Sequence, residues 1–214
     1  MVFALIVVAL TGLAVLVWFE YQRKAELIEK CLRRQAFRRK GKVHPATAKA
    51  FPFLTFTHRN SDVVVSAHAN DDSRAGWSTF VQVSLARQPD LDLEIRPRSA
   101  HKKTAKEPGL EEVRTGHSKF DDLFESRSND TARTRKIIDR RMRSAMLRLA
   151  ANKGVHVLLR RDGKPHGSDS EADLRPRLDV SVPKVLTEQS EYDRVIEFAL
   201  TLSDRLLAIA KATA

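Results

Sequence analysis

Seven histidines, an aspartate pair, one cysteine and a dense set of arginines are the residues whose types could do chemistry in this 214-residue chain. The histidines are His44, His58, His68, His101, His117, His156 and His166. His58 and His68 fall on adjacent predicted strands, where a nearby acid would complete a metal or hydrolytic site. Such a site needs three or four convergent ligands. No third ligand stands at a recognised spacing, so the two read as sheet histidines. Asp121-Asp122 is a possible acid/base pair, but neighbours on a strand point to opposite faces. In a turn, Asp121 would instead accept from local backbone amides. Serine, histidine and aspartate all occur, but without a G-x-S-x-G elbow. The chain also lacks G-x-x-x-x-G-K-[ST] and G-x-G-x-x-G, and Gly163-Lys164-Pro165 reads as a turn. Cys31 lies among cations that would lower its pKa, which makes it either an acylation candidate or a half-buried thiol. The sequence therefore offers no catalytic, cofactor-binding or metal residues, and no cofactor is expected.

The distinctive chemistry is cationic. The net charge is +11, and residues 20–42 alone contribute +6. A helix expected from about residue 130 to 152 carries Arg133, Arg135, Lys136, Arg140, Arg141, Arg143 and Arg148 against one interior acid, Asp139. Arg133, Lys136, Arg140, Arg141, Arg143 and Arg148, with Arg33, Arg34, Arg38 and Arg39 near the amino terminus, form a candidate anionic contact surface. A solvated face is the default reading of such a set, with ligand contact next. Anionic lipid headgroups are the preferred ligand. Nucleic acid is disfavoured, because no aromatic residues interleave with the arginines to stack on bases.

The elements that would position these groups begin with Met1–Phe19, an uncharged run broken only by Thr11 and Gly12. At 1.5 Å per helical residue it matches a hydrocarbon thickness of about 30 Å. The expectation is a transmembrane helix over 1–21, a basic juxtamembrane helix over 22–42 stopped by Gly41, and one α+β domain over 43–214. A loop at 97–112 would divide that domain into halves. Basic residues after the span place the domain in the cytoplasm and the amino terminus outside the inner membrane, with Trp18 and Tyr21 as interface anchors. A signal peptide fits less well, since neither a charged n-region nor a small-residue cleavage site is present. A single cysteine permits no intrachain disulfide and suits a reducing compartment.

Beyond residue 43 the apolar pattern alternates. Phe51, Phe53 and Phe56 mark a first strand, which Pro52 would place at an edge. Asn60-Ser61 forms a turn. Val63–Ala69, Trp77–Leu85 and Leu91–Ile95 give three more strands in a meander, separated by a polar loop at 70–76. Phe124 lies in a short strand. Ile138, Met142, Ala145 and Leu149 make the stripe of the basic helix, which Gly154 ends. Val155–Leu159 and Leu178–Val182 form a hairpin around the polar segment 161–176. A last helix, capped by Thr187 or Ser190, faces Tyr192, Ile196, Ala199, Leu202, Leu206 and Ile209 inward. The predicted fold is α+β, a mainly antiparallel sheet with helices on one face.

Thr115-Gly116, Phe120-Asp121 and Phe124, followed by a helix, a hairpin and an amphipathic helix, resemble bacterial membrane-anchored proteins of unknown function of the DUF3137 type. That resemblance implies a membrane-tethered, non-catalytic module and supplies no catalytic residues. The function expected is a single-pass membrane-anchored binding or scaffolding module. Its partners would be the bilayer through residues 1–21, anionic headgroups and an unidentified protein. The alternatives are a membrane-tethered hydrolase and a basic-surface nucleic-acid binder.

Overall fold

The computed structural model describes residues 2–47, 50–69, 76–87, 89–98, 109–150, 154–160 and 175–212. Of the loops expected at 70–76, 97–112 and 161–176, residues 70–75, 99–108 and 161–174 lie outside the described residues, His101 and His166 among them.

The alternating segments become a nine-stranded sheet in the order β1-β2-β3-β4-β9-β8-β5-β7-β6. The strands are β1 (Lys42–His44), β2 (Phe53–His58), β3 (Ser61–Ala69), β4 (Trp77–Ser84), β5 (Leu93–Pro97), β6 (Glu111–Glu112), β7 (Phe124–Ser128), β8 (His156–Arg160) and β9 (Arg177–Val182). Every pairing among the described residues is antiparallel. The expected meander holds from β2 to β4, but β5 is not the next strand. The β8–β9 hairpin inserts between them, with Val81 opposite Val180 and Ile95 opposite Val157. Nor does Pro52 make β2 an edge. The proline precedes the strand, so it removes no ladder donor, and β1 covers that side.

Period-two alternation sends Leu54, Val63, Val65, Val81, Val83, Leu93, Ile95, Val157, Leu159, Leu178 and Val180 to one face, where all are buried. The helices lie there: α1 (Val2–Arg39) against β2, α5 (Gln189–Ala212) against β4 and β9, and α2 (Ser118–Leu123) and α3 (Thr131–Ile137) against β7. The fifth helix, α4 (Arg140–Ala150), packs on α5. All the apolar positions expected on α5 face inward, with Ile209 only partly buried. The opposite face carries Gln82, Asp179, Glu94 and Arg127 in one cross-strand row.

The expected membrane span is corrected. Among the described residues no helix is long and apolar enough to cross a membrane. The apolar run is instead the opening of a 38-residue helix that continues unbroken into the charged segment. The second half of that helix belongs to the domain core, with Ala25, Ile28, Cys31 and Leu32 buried against the sheet. The transmembrane and single-pass readings and the inner-membrane placement, all drawn from that span, fall with it. Side chains from Leu10 to Phe19 are exposed. Trp18 and Tyr21 do not act as interface anchors in the structure: Tyr21 stacks on Trp18 and on Phe51, and Phe51 meets Trp77 edge-on. The Tyr21 hydroxyl donates to the Thr47 carbonyl, so this aromatic series fastens the middle of α1 to the domain.

Gly41 does follow the helix, for a reason other than backbone freedom. Lys40 takes the left-handed conformation, with φ 52°, and the Gly41 N–H donates to the Ala36 carbonyl. A Cβ at Gly41 would lie 2.7 Å from the Thr55 carbonyl oxygen, so glycine is required where the chain crosses β2. The first turn of the sheet comes one residue early: Arg59 and Asn60 both have positive φ and join His58 to Ser61 in a two-residue hairpin.

Candidate functional site

The helix expected from 130 to 152 is two helices. The chain breaks at Ile138, whose ψ of 54° is not helical. Asp139 then caps α4, its carboxylate accepting from the Met142 N–H at 2.8 Å. Arg205 of α5 clamps the break by donating to the Ile137 carbonyl and to Asp139, both at 2.9 Å. That guanidinium hydrogen bond, with help from the Met142 N–H, holds the Asp139 carboxyl below its ordinary pKa. Arg143 turns back to the Ile138 carbonyl at 2.8 Å. The break therefore divides the expected basic face and fixes α4 against α5.

Between α4 and α5 lies a groove of about 330 Å³, within the range of small-molecule sites. Its floor is apolar, made by Met142, Leu149 and Phe198, all buried, with Ala145 half-buried. Arg141, Arg148, Arg194 and Arg205 stand around it, with Asp193 and Glu197. The two acids are engaged by side chains of α1. Asp193 accepts from Gln35 at 2.7 Å and from Arg38 at 2.5 Å, and Glu197 pairs with Arg39 at 2.6 Å. Arg205 is occupied by Asp139. Arg141, Arg148 and Arg194 are exposed and have no acidic partner among the described residues. The result is an apolar trough beneath uncommitted positive charge.

The ten expected contact residues divide accordingly. Arg141 and Arg148 border the groove, and Arg140 and Lys136 are exposed beside it in sequence. Arg133 is held by Asp130 at 3.1 Å, and Arg143 caps α3. On α1, Arg33 pairs with Glu29, Arg38 and Arg39 tie α1 to α5, and Arg34 stays exposed. Arg39 also lies over the Phe56 ring at 5.6 Å. Sequence reasoning missed Arg194, Phe198 and Thr201, the α5 side of the groove. They show there only as polar or core positions of an amphipathic helix.

The histidines do not converge. His58 pairs with Ser61, and His68 lies seven residues further along β3, a separation of roughly 23 Å at 3.3 Å per residue. His58 meets Asp204 of α5 at 3.1 Å, which also holds Arg59, and His68 stacks on Phe80. His44 stacks on Phe53, His117 caps α2, and His156 lies 3.5 Å from Glu94. Among the described residues no group of three or more His, Cys, Asp or Glu is arranged to hold a metal ion. Asp121 has the structural role expected, accepting from Thr115 N–H and Oγ1 and from Gly116 N–H. Cys31 is buried and donates to the Thr187 carbonyl at 3.4 Å. Burial pushes its pKa up despite Arg34 and Lys30, which removes the basis for a reactive thiol.

No protein-family model matches the chain, and no curated protein matches it. The fold is similar to that of the mycobacterial trehalose monomycolate transport factor A, TtfA, with a TM-score of 0.54 at 11% identity. The similarity covers 85% of this chain and 94% of that one.

Proposed function

We propose that this chain is a non-enzymatic binding module whose α4–α5 groove takes an anionic amphiphile, an apolar chain bearing an acidic head. The observation that carries the reading is the apolar floor of Met142, Leu149 and Phe198 beneath Arg141, Arg148 and Arg194, which have no acidic partner among the described residues. An apolar ligand segment would displace water from the floor, and the guanidinium groups would give paired hydrogen bonds to a phosphate or carboxylate. A fold shared with a trehalose monomycolate transport factor is compatible with a binding role. The ligand is assigned from the groove's own charge.

Calorimetric titration of the full chain tests this with dodecyl phosphate below its micelle concentration, dodecyl maltoside and inorganic phosphate. Dodecyl phosphate binds, and the other two bind at least tenfold more weakly, because each offers half of the recognition. Arg148→Glu lowers dodecyl phosphate affinity about tenfold, or roughly 1.4 kcal/mol, and Ala145→Trp fills the groove and abolishes binding. Equal affinity for dodecyl maltoside, or no effect of either substitution, refutes the proposal.

A further inference from the structure

Two of the side chains around the α4–α5 groove are acids, and both belong to α5. Asp193 and Glu197 stand one turn apart, the spacing at which like charges repel. Glu197 also lies three residues from Arg194, close enough for the two to pair across one turn. Left to themselves, these carboxylates would compete with an acidic ligand for the guanidinium groups of the groove. Side chains of α1 answer them instead, although no described residue of α1 lines the groove. Arg38 holds Asp193 at 2.5 Å, and Arg39 holds Glu197 at 2.6 Å. Gln35 joins the two pairs: its Nε2 donates to Asp193 at 2.7 Å, and its Oε1 accepts from Arg39 Nε at 3.1 Å. Gln35 is fully buried, the Arg39 side chain is 13% exposed, and its guanidinium lies over the Phe56 ring. The network is therefore built into the packing of α1 on α5 and the sheet.

We infer, on the amphiphile reading of the groove, that the C-terminal end of α1 sets its affinity for the anionic ligand, with Gln35, Arg38 and Arg39 as positioning residues. None of the three has to touch the ligand. They occupy the two acids, and Arg141, Arg148 and Arg194 are thereby left for the acidic head. Removing either cation releases a carboxylate beside the site, which repels the head and draws on a groove arginine. The arrangement also makes α1 a lever. Any event that lifts this end of α1 off α5 lowers ligand affinity, and by linkage a bound ligand favours the docked helix.

Calorimetric titration of dodecyl phosphate into the full chain tests this. Arg39→Gln weakens binding about fivefold, the scale of one unanswered charge at a partly screened separation. Adding Glu197→Gln to that variant restores affinity to within about twofold of wild type. Arg38→Gln, at a side chain 56% exposed, weakens binding in the same direction, and Asp193→Asn recovers it, so the test does not depend on the more buried Arg39. A role confined to holding α1 in place would not be rescued, because the second substitution leaves the ion pair lost. Lys40→Gln removes the same charge from the exposed residue that follows α1 and changes affinity less than about twofold, which separates a released acid from net charge. Absence of binding by the wild-type chain refutes the amphiphile reading and this inference with it. Wild-type binding that Arg38→Gln and Arg39→Gln leave unchanged, a loss that Asp193→Asn and Glu197→Gln do not recover, or an equal loss in Lys40→Gln overturns the inference alone.

Discussion

Two leucines on the same helix give the sharpest test of how α1 is used. Leu32 is 1% exposed and packs into the core, whereas Leu16, four turns earlier, is 65% exposed. Helix propensity is matched, because each becomes alanine in one continuous helix. Leu32→Ala loses the transfer free energy of the side chain and leaves a cavity between α1 and the sheet, a cost of about 2–5 kcal/mol. A mid-range loss of about 3 kcal/mol lowers Tm by about 6–12 °C in a chain of this size. Leu16→Ala changes stability by no more than about 0.5 kcal/mol, as for other surface positions. Urea unfolding followed by far-ultraviolet circular dichroism measures both. If Leu32→Ala costs no more than Leu16→Ala, α1 is not part of the core and the packing described here is wrong.

Two further outcomes follow from local geometry. Gly41→Ala drives a methyl into the Thr55 carbonyl and the Leu54 and Phe56 side chains. It costs about 1–3 kcal/mol in chemical denaturation, the usual range for overpacking. Asp139 has a folded pKa below its unfolded value because of Arg205. Its ion pair therefore stabilises the fold above the unfolded pKa, near 4, and that contribution is lost as pH falls through the folded value. Asp139→Asn is destabilising at pH 7, and the gap to wild type narrows below about pH 4 in denaturation series run across pH.

The strands were legible in the sequence because a half-buried strand writes its face into every second residue. Val63–Ala69, Trp77–Leu85 and Leu178–Val182 fall within a residue or two of β3, β4 and β9. Their spatial order was not legible. Nothing in Leu91–Ile95 says that its neighbour is Val157 rather than Val83, because both partners are aliphatic and the choice lies in tertiary packing. Strands β1 and β6 were too short to carry a period. The break at Ile138 was hidden because the apolar stripe continues across it: Ile138, Met142 and Leu149 are all buried despite the interruption. The apolar opening of α1 misled by composition, since a local run carries no information about the core contacts made twenty residues later. The groove was half visible. Its arginines stood out by charge, but which of them lack partners depends on α5, whose acids Asp193 and Glu197 turn towards α1.

In the proposed binding mode the chain of an acidic amphiphile lies on Met142 beneath the arginines. The most direct measurement is carbon–proton correlation NMR of methyl-labelled methionine while dodecyl phosphate is titrated into the full chain. Met142 lines the groove, and Met146, one turn on, is buried in the core. The expected result is a saturable shift of the Met142 methyl that exceeds any at Met146 and disappears in Ala145→Trp. A Met142 resonance that does not move, or that moves equally with dodecyl maltoside, would contradict it.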